Sequence, residues 1–233
     1  MKADIFQSAP GRNRRDGFTL IALLVVIAVI SRLAGMLFPV TAAVNRAKIK
    51  AKAQGELAKV EAAIQDYKMK LGHYPPDNPG KYRLNQLYYE LSGVSAGAGF
   101  FRTLSGSSQL ATADLASIFG PDVGGFVNAS AAAGGDEVSK ARSFLSDLKG
   151  DQFLLATQAG GLTVLPRMVL GTSLDGPFVC EGTGGKKLNP WRYNSSSPTN
   201  NPNSYDLWVD VLIGGKTNRF SNWSRQPTIV NTP

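Results

Sequence analysis

Thirteen residues near the amino terminus restrict this chain more than any others. From Phe18 to Ile30 no side chain is charged, and Thr19 is the only polar one. Leu, Ile and Val each gain about 1.5–3 kcal/mol on full burial, so such a run cannot be left in water without a large cost. It must serve as a signal, an anchor or an assembly surface. An Arg-rich lead precedes it, Gly11-Arg12-Asn13-Arg14-Arg15-Asp16.

A secretory signal has a basic start, an apolar run of about 7–15 residues and a small-x-small cleavage site beyond it. Here the far end reads Ile30-Ser31-Arg32-Leu33-Ala34-Gly35, and an Arg directly after the core suits that cleavage poorly. Apolar character then resumes through Leu33–Val44. Phe18 to Val44 is 27 residues, or about 40 Å of helix, against a bilayer core of about 30 Å. The segment can span and still project. Arg32 then lies within a turn or two of the far surface, where it snorkels to headgroups or forms an ion pair. Flanking charge leaves the orientation open. The lead to Asp16 carries a net +2, and Arg46 to Lys59 carries a net +4.

From Val40 the pattern changes. Leu57, Val60, Ile64, Tyr67 and Leu71 recur at three- and four-residue spacing and predict one apolar stripe on a helix. Gly72 and Pro75-Pro76 end it. A helix from Phe18 to Leu71 would run about 80 Å, apolar all round in its first half and amphipathic in its second. Arg46, Lys48, Lys50 and Lys52 are spread around it.

Three groups of residues resemble type IV pilins and the pseudopilins of type II secretion systems, in particular the major (G-type) pseudopilins. The first is Gly17-Phe18-Thr19-Leu20-Ile21, with basic residues before and an apolar run behind. The resemblance implies that a prepilin peptidase cuts between Gly17 and Phe18 and methylates Phe18. It also implies a Pro at the twenty-second mature position, where Pro39 stands and would let the helix bend. Ala22 departs from the pattern, because the fifth mature residue is usually a Glu. That carboxylate is thought to neutralise a neighbour's amino terminus in the filament, and tip pseudopilins typically lack it. The second group is Tyr67 to Pro75, similar to the Y-x-x-x-x-G-x-Y-P ending of the long helix. The third is Asn189-Pro190-Trp191-Arg192-Tyr193, then Tyr205-Asp206-Leu207-Trp208, Gly214-Gly215 and Asn222-Trp223, which is similar to the family's C-terminal signature. In the family that region commonly binds calcium. Here Asn189 replaces the opening Asp, leaving Asp206 and Asp210 as candidate calcium ligands, with backbone carbonyls needed to reach six to eight oxygens.

The resemblance implies an α+β, pilin-like fold, a long helix packed on a small antiparallel sheet. It divides the chain into a leader (1–17), a membrane or filament-core helix (18–39), the amphipathic half (40–72) and a periplasmic domain (73–233). Its implied partners are prepilin peptidase, other pilin or pseudopilin subunits and an inner-membrane assembly platform. The chain would sit in the bacterial inner membrane with its N-terminus cytoplasmic before joining a filament.

Within the domain, Leu84, Leu87, Tyr88 and Leu91 predict a short helix. Its interleaved basic and Tyr residues could instead stack on single-stranded nucleic acid. Residues 92–135 are rich in Gly, Ala and Ser and read as a surface insertion with a helical turn at Thr112–Phe119. A helix is expected over Asp136–Leu148, and short strands over Gln152–Cys180, the sheet against which the half-helix would pack. Trp191, Tyr193, Tyr205, Trp208 and Trp223 are expected to cap one sheet end.

The formal charge of +8 is not gathered into one patch, so a nucleic-acid partner is only weakly indicated. One Cys and one His rule out an internal disulfide and a multi-His or multi-Cys metal site. No nucleophile–base pair or paired-carboxylate motif stands out, and the reading is of a structural subunit, not an enzyme. A minor-pilin-type binding subunit for DNA or surfaces, and a signal-anchored periplasmic enzyme, are the alternatives.

Overall fold

The computed structural model describes residues 20–130, 140–145 and 147–231, with backbone only at 36–40. It forms two compact units, Met1–Asn45 and Arg46–Pro233. The expected leader and the Gly17–Phe18 junction lie outside the described residues.

The first unit consists, where described, of the start of helix α1 (Leu20–Leu71). Ten large apolar side chains between Leu20 and Leu33 are about half exposed or more. The helix continues past Pro39, which has no N–H to donate to the preceding turn. Among the described residues no helix is long and apolar enough to cross a membrane.

In the second unit α1 behaves as its stripe predicts. Ala53, Leu57, Val60, Ala63, Ile64 and Tyr67 are buried. Lys68 and Lys70 occupy the last turn, where cations favour the helix dipole. Gly72 adopts φ +85° and donates its N–H to the Lys68 carbonyl at 2.8 Å, closing the helix.

Twelve strands follow among the described residues. Strands β1 (Val94–Gly97), β2 (Phe100–Thr103), β3 (Gln109–Ala111) and β4 (Ala129–Ser130) form a sheet ordered β3-β2-β1-β4. Strands β5 (Phe153–Ala159), β6 (Leu162–Thr172), β7 (Cys180–Gly182) and β8 (Lys187–Pro190) close into a small barrel. The C-terminal sheet, ordered β12-β11-β10-β9, comprises β9 (Arg192–Asn194), β10 (Asp206–Ile213), β11 (Lys216–Ser221) and β12 (Ser224–Ile229). Gly160-Gly161 and Gly214-Gly215, all at positive φ, make the tight β5–β6 and β10–β11 turns. The fold is thus α+β, a long N-terminal helix followed by sheets that are antiparallel except for the β1–β4 pair.

The sheet that the half-helix packs against is chiefly the C-terminal one. One core gathers the α1 stripe with Leu207, Val209, Val211 and Ile213 of β10 and Phe220 of β11. From the barrel only Met168, Leu170 and Phe153 of β5–β6 join it, while Leu154, Ala156, Val169, Cys180 and Leu188 form a separate small core. The barrel strands face inward on each other, so few of their side chains remain for α1. Pro166 does not split β6. It falls where the β5–β6 register shifts beside Thr157, so its missing N–H breaks no ladder bond of the regular pairing.

Two local expectations change. Residues 94–130 build the first sheet and bury Val94, Leu110, Leu115, Ile118, Phe119 and Phe126, with α3 (Leu115–Phe119) at the expected helical turn. The described residues of 140–150 are not helical. They form an extended cover, with Phe144, Leu145 and Leu148 packed on the core. Phe144 N–H donates to the Leu91 carbonyl at 2.7 Å, and Arg142 N–H to Asn128 Oδ1 at 2.9 Å. Tertiary hydrogen bonds therefore replace the helical ladder.

Helix α2 (Leu87–Ser92) is buried along its length and carries an ionisable group into the interior. Glu90 is inaccessible to solvent. Its carboxylate accepts from Tyr67 Oη (2.9 Å), Val127 N–H (2.9 Å) and Asn128 N–H (3.0 Å), tying α1 to the segment entering β4. Desolvation raises its pKa above the usual 4.5 despite these donors. An acid with a raised folded pKa contributes stability fully below its unfolded pKa and loses it as pH rises through the folded value. Glu90→Gln puts an amide NH₂ against an N–H or O–H donor, with an expected loss of about 1–3 kcal/mol. In denaturant titrations, the gap between wild type and variant should widen as pH falls from neutral toward about 4.5. A pH-independent gap would refute the titration.

Candidate functional site

The second and third family-like segments, over a hundred residues apart, meet in space. Tyr193 Oη and Ser195 Oγ both donate to the Pro75 carbonyl at 2.9 Å. Ser196 Oγ donates to Asp77 Oδ2 at 2.9 Å. Tyr74 packs edge-on to Tyr205 with centroids 4.9 Å apart, and Tyr205 lies 5.7 Å from Tyr193. Lys68 Nζ sits 4.0 Å above the Tyr74 ring. The Ser204 hydroxyl, then Lys68, hold the Tyr74 pKa below its usual value. Burial pushes Tyr205 up to about 12. Tyr193 is raised by burial as well, so it and Tyr205 are neutral clasps on the helix end.

Asn222 supplies a second clasp. Its Nδ2 donates to the Tyr205 carbonyl (2.9 Å), its Oδ1 accepts from Leu207 N–H (3.0 Å), and its own N–H donates to the Leu207 carbonyl (3.0 Å). Trp223 and Trp208 pair at 5.8 Å, and Trp208 also meets Tyr82 at 5.8 Å. The expected aromatic cap therefore has two parts. Tyr193 and Tyr205 clasp the helix end, and Trp208 and Trp223 lie together beside Tyr82.

Asp206 and Asp210 share one face of β10, as strand alternation requires, but their carboxylates have separate partners. Asp206 accepts from the backbone N–H groups of Thr199, Asn200 and Asn201, from Thr199 Oγ1 and from Asn200 Nδ2, at 2.9–3.3 Å. This shell fixes the loop containing Asn203, whose φ of 67° suits an Asn. Asp210 accepts from Arg219 Nε (2.7 Å) and Nη2 (3.0 Å), and Arg192 Nη1 lies 3.5 Å away. Among the described residues no three His, Cys, Asp or Glu side chains gather as a metal-holding group. Donor hydrogens around Asp206 and guanidinium cations around Asp210 stand where a calcium ion would need oxygens.

His73 Nδ1 lies 2.9 Å from the Tyr74 carbonyl, and its ring meets Tyr67 edge-on. Cys180 is buried and free, its thiol pushed up to about 11 by desolvation. Tyr88 and Tyr89 are buried, so they offer no stacking surface to a nucleic acid. Sequence reasoning did not single out Glu90 or the buried Arg192. The available signal for Arg192 was its place inside the Trp191–Tyr193 signature.

The amino-terminal part of the site is the exposed apolar helix. Residues 12–38 match the family model described as the prokaryotic N-terminal methylation motif. That span contains Gly17, Phe18 and Ala22. No curated protein and no solved structure shows significant similarity to the chain. The chain therefore carries a prepilin-type, pilin-like amino-terminal motif on an α+β domain.

Asp206→Ala removes the acceptor from three backbone N–H groups at once. Hydrogen bonds to charged groups contribute about 1.5–3 kcal/mol each, with partial recovery by water. The variant is expected to lose at least about 2 kcal/mol of stability in denaturant titration, and millimolar calcium or a chelator should leave the wild-type melting temperature unchanged. A calcium-dependent rise would restore the metal reading.

Proposed function

We propose that the chain is a structural subunit of a pilin-like filament, a type II secretion pseudopilus or a related pilus. Prepilin peptidase would process it between Gly17 and Phe18, and its first helix would hold it in the inner membrane until assembly. One observation carries the reading. The segment matching the methylation motif is also the part of the molecule that leaves its apolar side chains uncovered. Ten such side chains, each contributing about 1.5–3 kcal/mol on full burial, represent at least about 10 kcal/mol of stabilisation to be gained from lipid or neighbouring helices. Prepilin processing and helix-to-helix assembly would supply that environment in turn.

A catalytic role finds little support in the side chains described above. The single His is engaged at the helix end and the single Cys is buried with a raised pKa. Asp206 and Asp210 are proposed as structural anchors of the C-terminal loop rather than calcium ligands. The assembly machinery and other pilin or pseudopilin subunits are the partners this reading requires.

The test uses a cysteine on the exposed helix. Leu24→Cys, in cells containing a pseudopilus or pilus assembly platform, should give a disulfide-linked dimer of the chain on mild oxidation, since Cys180 is buried and each chain then offers one accessible thiol. The dimer should vanish when the assembly ATPase is absent. Monomer alone in both strains would oppose the assembly role. In the same background, Ala22→Glu should increase the crosslinked fraction if the missing carboxylate limits subunit addition, and an unchanged fraction would dismiss that explanation.

A further inference from the structure

A cavity of about 450 Å³ opens on the face of the C-terminal sheet that carries Trp208 and Asp210. Strand alternation sends Leu207, Val209 and Val211 to the core and turns Trp208 and Asp210 the other way. Register then sets Arg192 of β9 opposite Trp208, and Arg219 of β11 opposite Asp210. The segment Gly80–Leu84 and Phe178 complete the walls. That segment is held down by Tyr193 N–H donating to the Tyr82 carbonyl at 3.1 Å. Asn85 Nδ2 bridges the Tyr82 and Trp191 carbonyls at 2.7 and 2.9 Å.

The charges of this cavity do not balance. Arg192, Arg219, Arg83 and Lys81 line it with Asp210 as the one carboxylate. Asp210 accepts from Arg219 through both oxygens. Arg192 is only 2 % exposed; its Nη1 pairs with Asp210 Oδ2 at 3.5 Å, but none of its three guanidinium nitrogens makes a hydrogen bond among the described residues. Its pKa is pushed down to about 10, first by burial and further by Arg83 and Arg219, with Asp210 opposing. A buried guanidinium that shares one carboxylate and makes no hydrogen bond is costly, whereas one given a bidentate oxyanion is strongly held. The walls are aromatic as well. The Arg83 guanidinium lies 4.7 Å over the Phe178 ring, and Tyr82 and Trp208 meet nearby at 5.8 Å with their rings tilted by 53°. Flat apolar surface beside unmatched positive charge fits a molecule with an anionic head and an apolar or aromatic body.

We propose that this cavity is a binding site for a small organic oxyanion, a carboxylate or phosphate monoester attached to an aromatic or apolar group. The head group is held by Arg192 and Arg83 and the body lies against Trp208, Tyr82 and Phe178. The site is independent of the amino-terminal helix and of the assembly reading.

Titration calorimetry on the full-length chain in neutral detergent tests it, with 3-phenylpropionate and phenyl phosphate as the anionic probes and 3-phenylpropanamide as the neutral control. The expected result is saturable binding of at least one anion, one per chain, at least about tenfold tighter than the amide. The tighter of the two anions identifies the head group as carboxylate or phosphate. Arg83→Glu changes an exposed side chain, so the domain should stay folded, and it should weaken the anion by about tenfold or more. Arg83→Lys, which keeps the charge, should recover most of the affinity. Three results would each overturn the proposal: neither anion binding to folded protein at millimolar concentration, the amide binding as tightly as the anions, or Arg83→Glu leaving affinity unchanged.

Discussion

The apolar surface of α1 between Leu20 and Leu33 is a demand that the chain does not meet by itself. Its side chains stay exposed, while the stripe from Ala53 to Tyr67 is covered by the domain that follows. One helix thus carries two solvation requirements. The first half calls for an environment from outside, lipid or other helices, because both can surround it on every side. The second half needs a single partner face, and β10 and β11 provide it. The division of labour follows from composition along the helix.

The domain half is fixed at several points by hydrogen-bonded polar groups. Glu90 joins Tyr67 of α1 to the turn before β4 through three donors on two separate segments. At the helix end the Pro75 carbonyl is taken by Tyr193 and Ser195. Asp206 organises the intervening loop, and Asn222 locks that loop to β10. These bonds lie in a low-dielectric interior, where unmade partners are expensive. The end of the long helix and the C-terminal sheet are consequently one mechanical unit.

The parts visible in the sequence were those with a short-range physical signature. The stripe Leu57–Tyr67 and the stop at Gly72 each follow from local period or backbone freedom, whereas the strand Asp206–Ile213 went unread. Other features depended on contacts distant in sequence. The segment 140–150 has helical spacing at Leu145 and Leu148, but its backbone bonds go to Leu91 and Asn128 instead. The Gly-rich stretch 94–130 reads as loop until Phe119 and Phe126 find Tyr89, at 6.0 and 5.0 Å between ring centroids. Of the site residues, Asp206 and Asp210 were legible as acids within the C-terminal signature. Their partners at 199–201, 192 and 219 were not, because acceptor and donor counts emerge only once strands are paired.

The account's central claim is that the amino-terminal motif is used. Its most direct test is the intact mass of the chain after co-expression with a prepilin peptidase, with fragmentation of the amino-terminal peptide. The prediction is loss of Met1–Gly17 and a single methyl group on the new Phe18 terminus. An unprocessed chain, in cells that fully process an established prepilin, would contradict it.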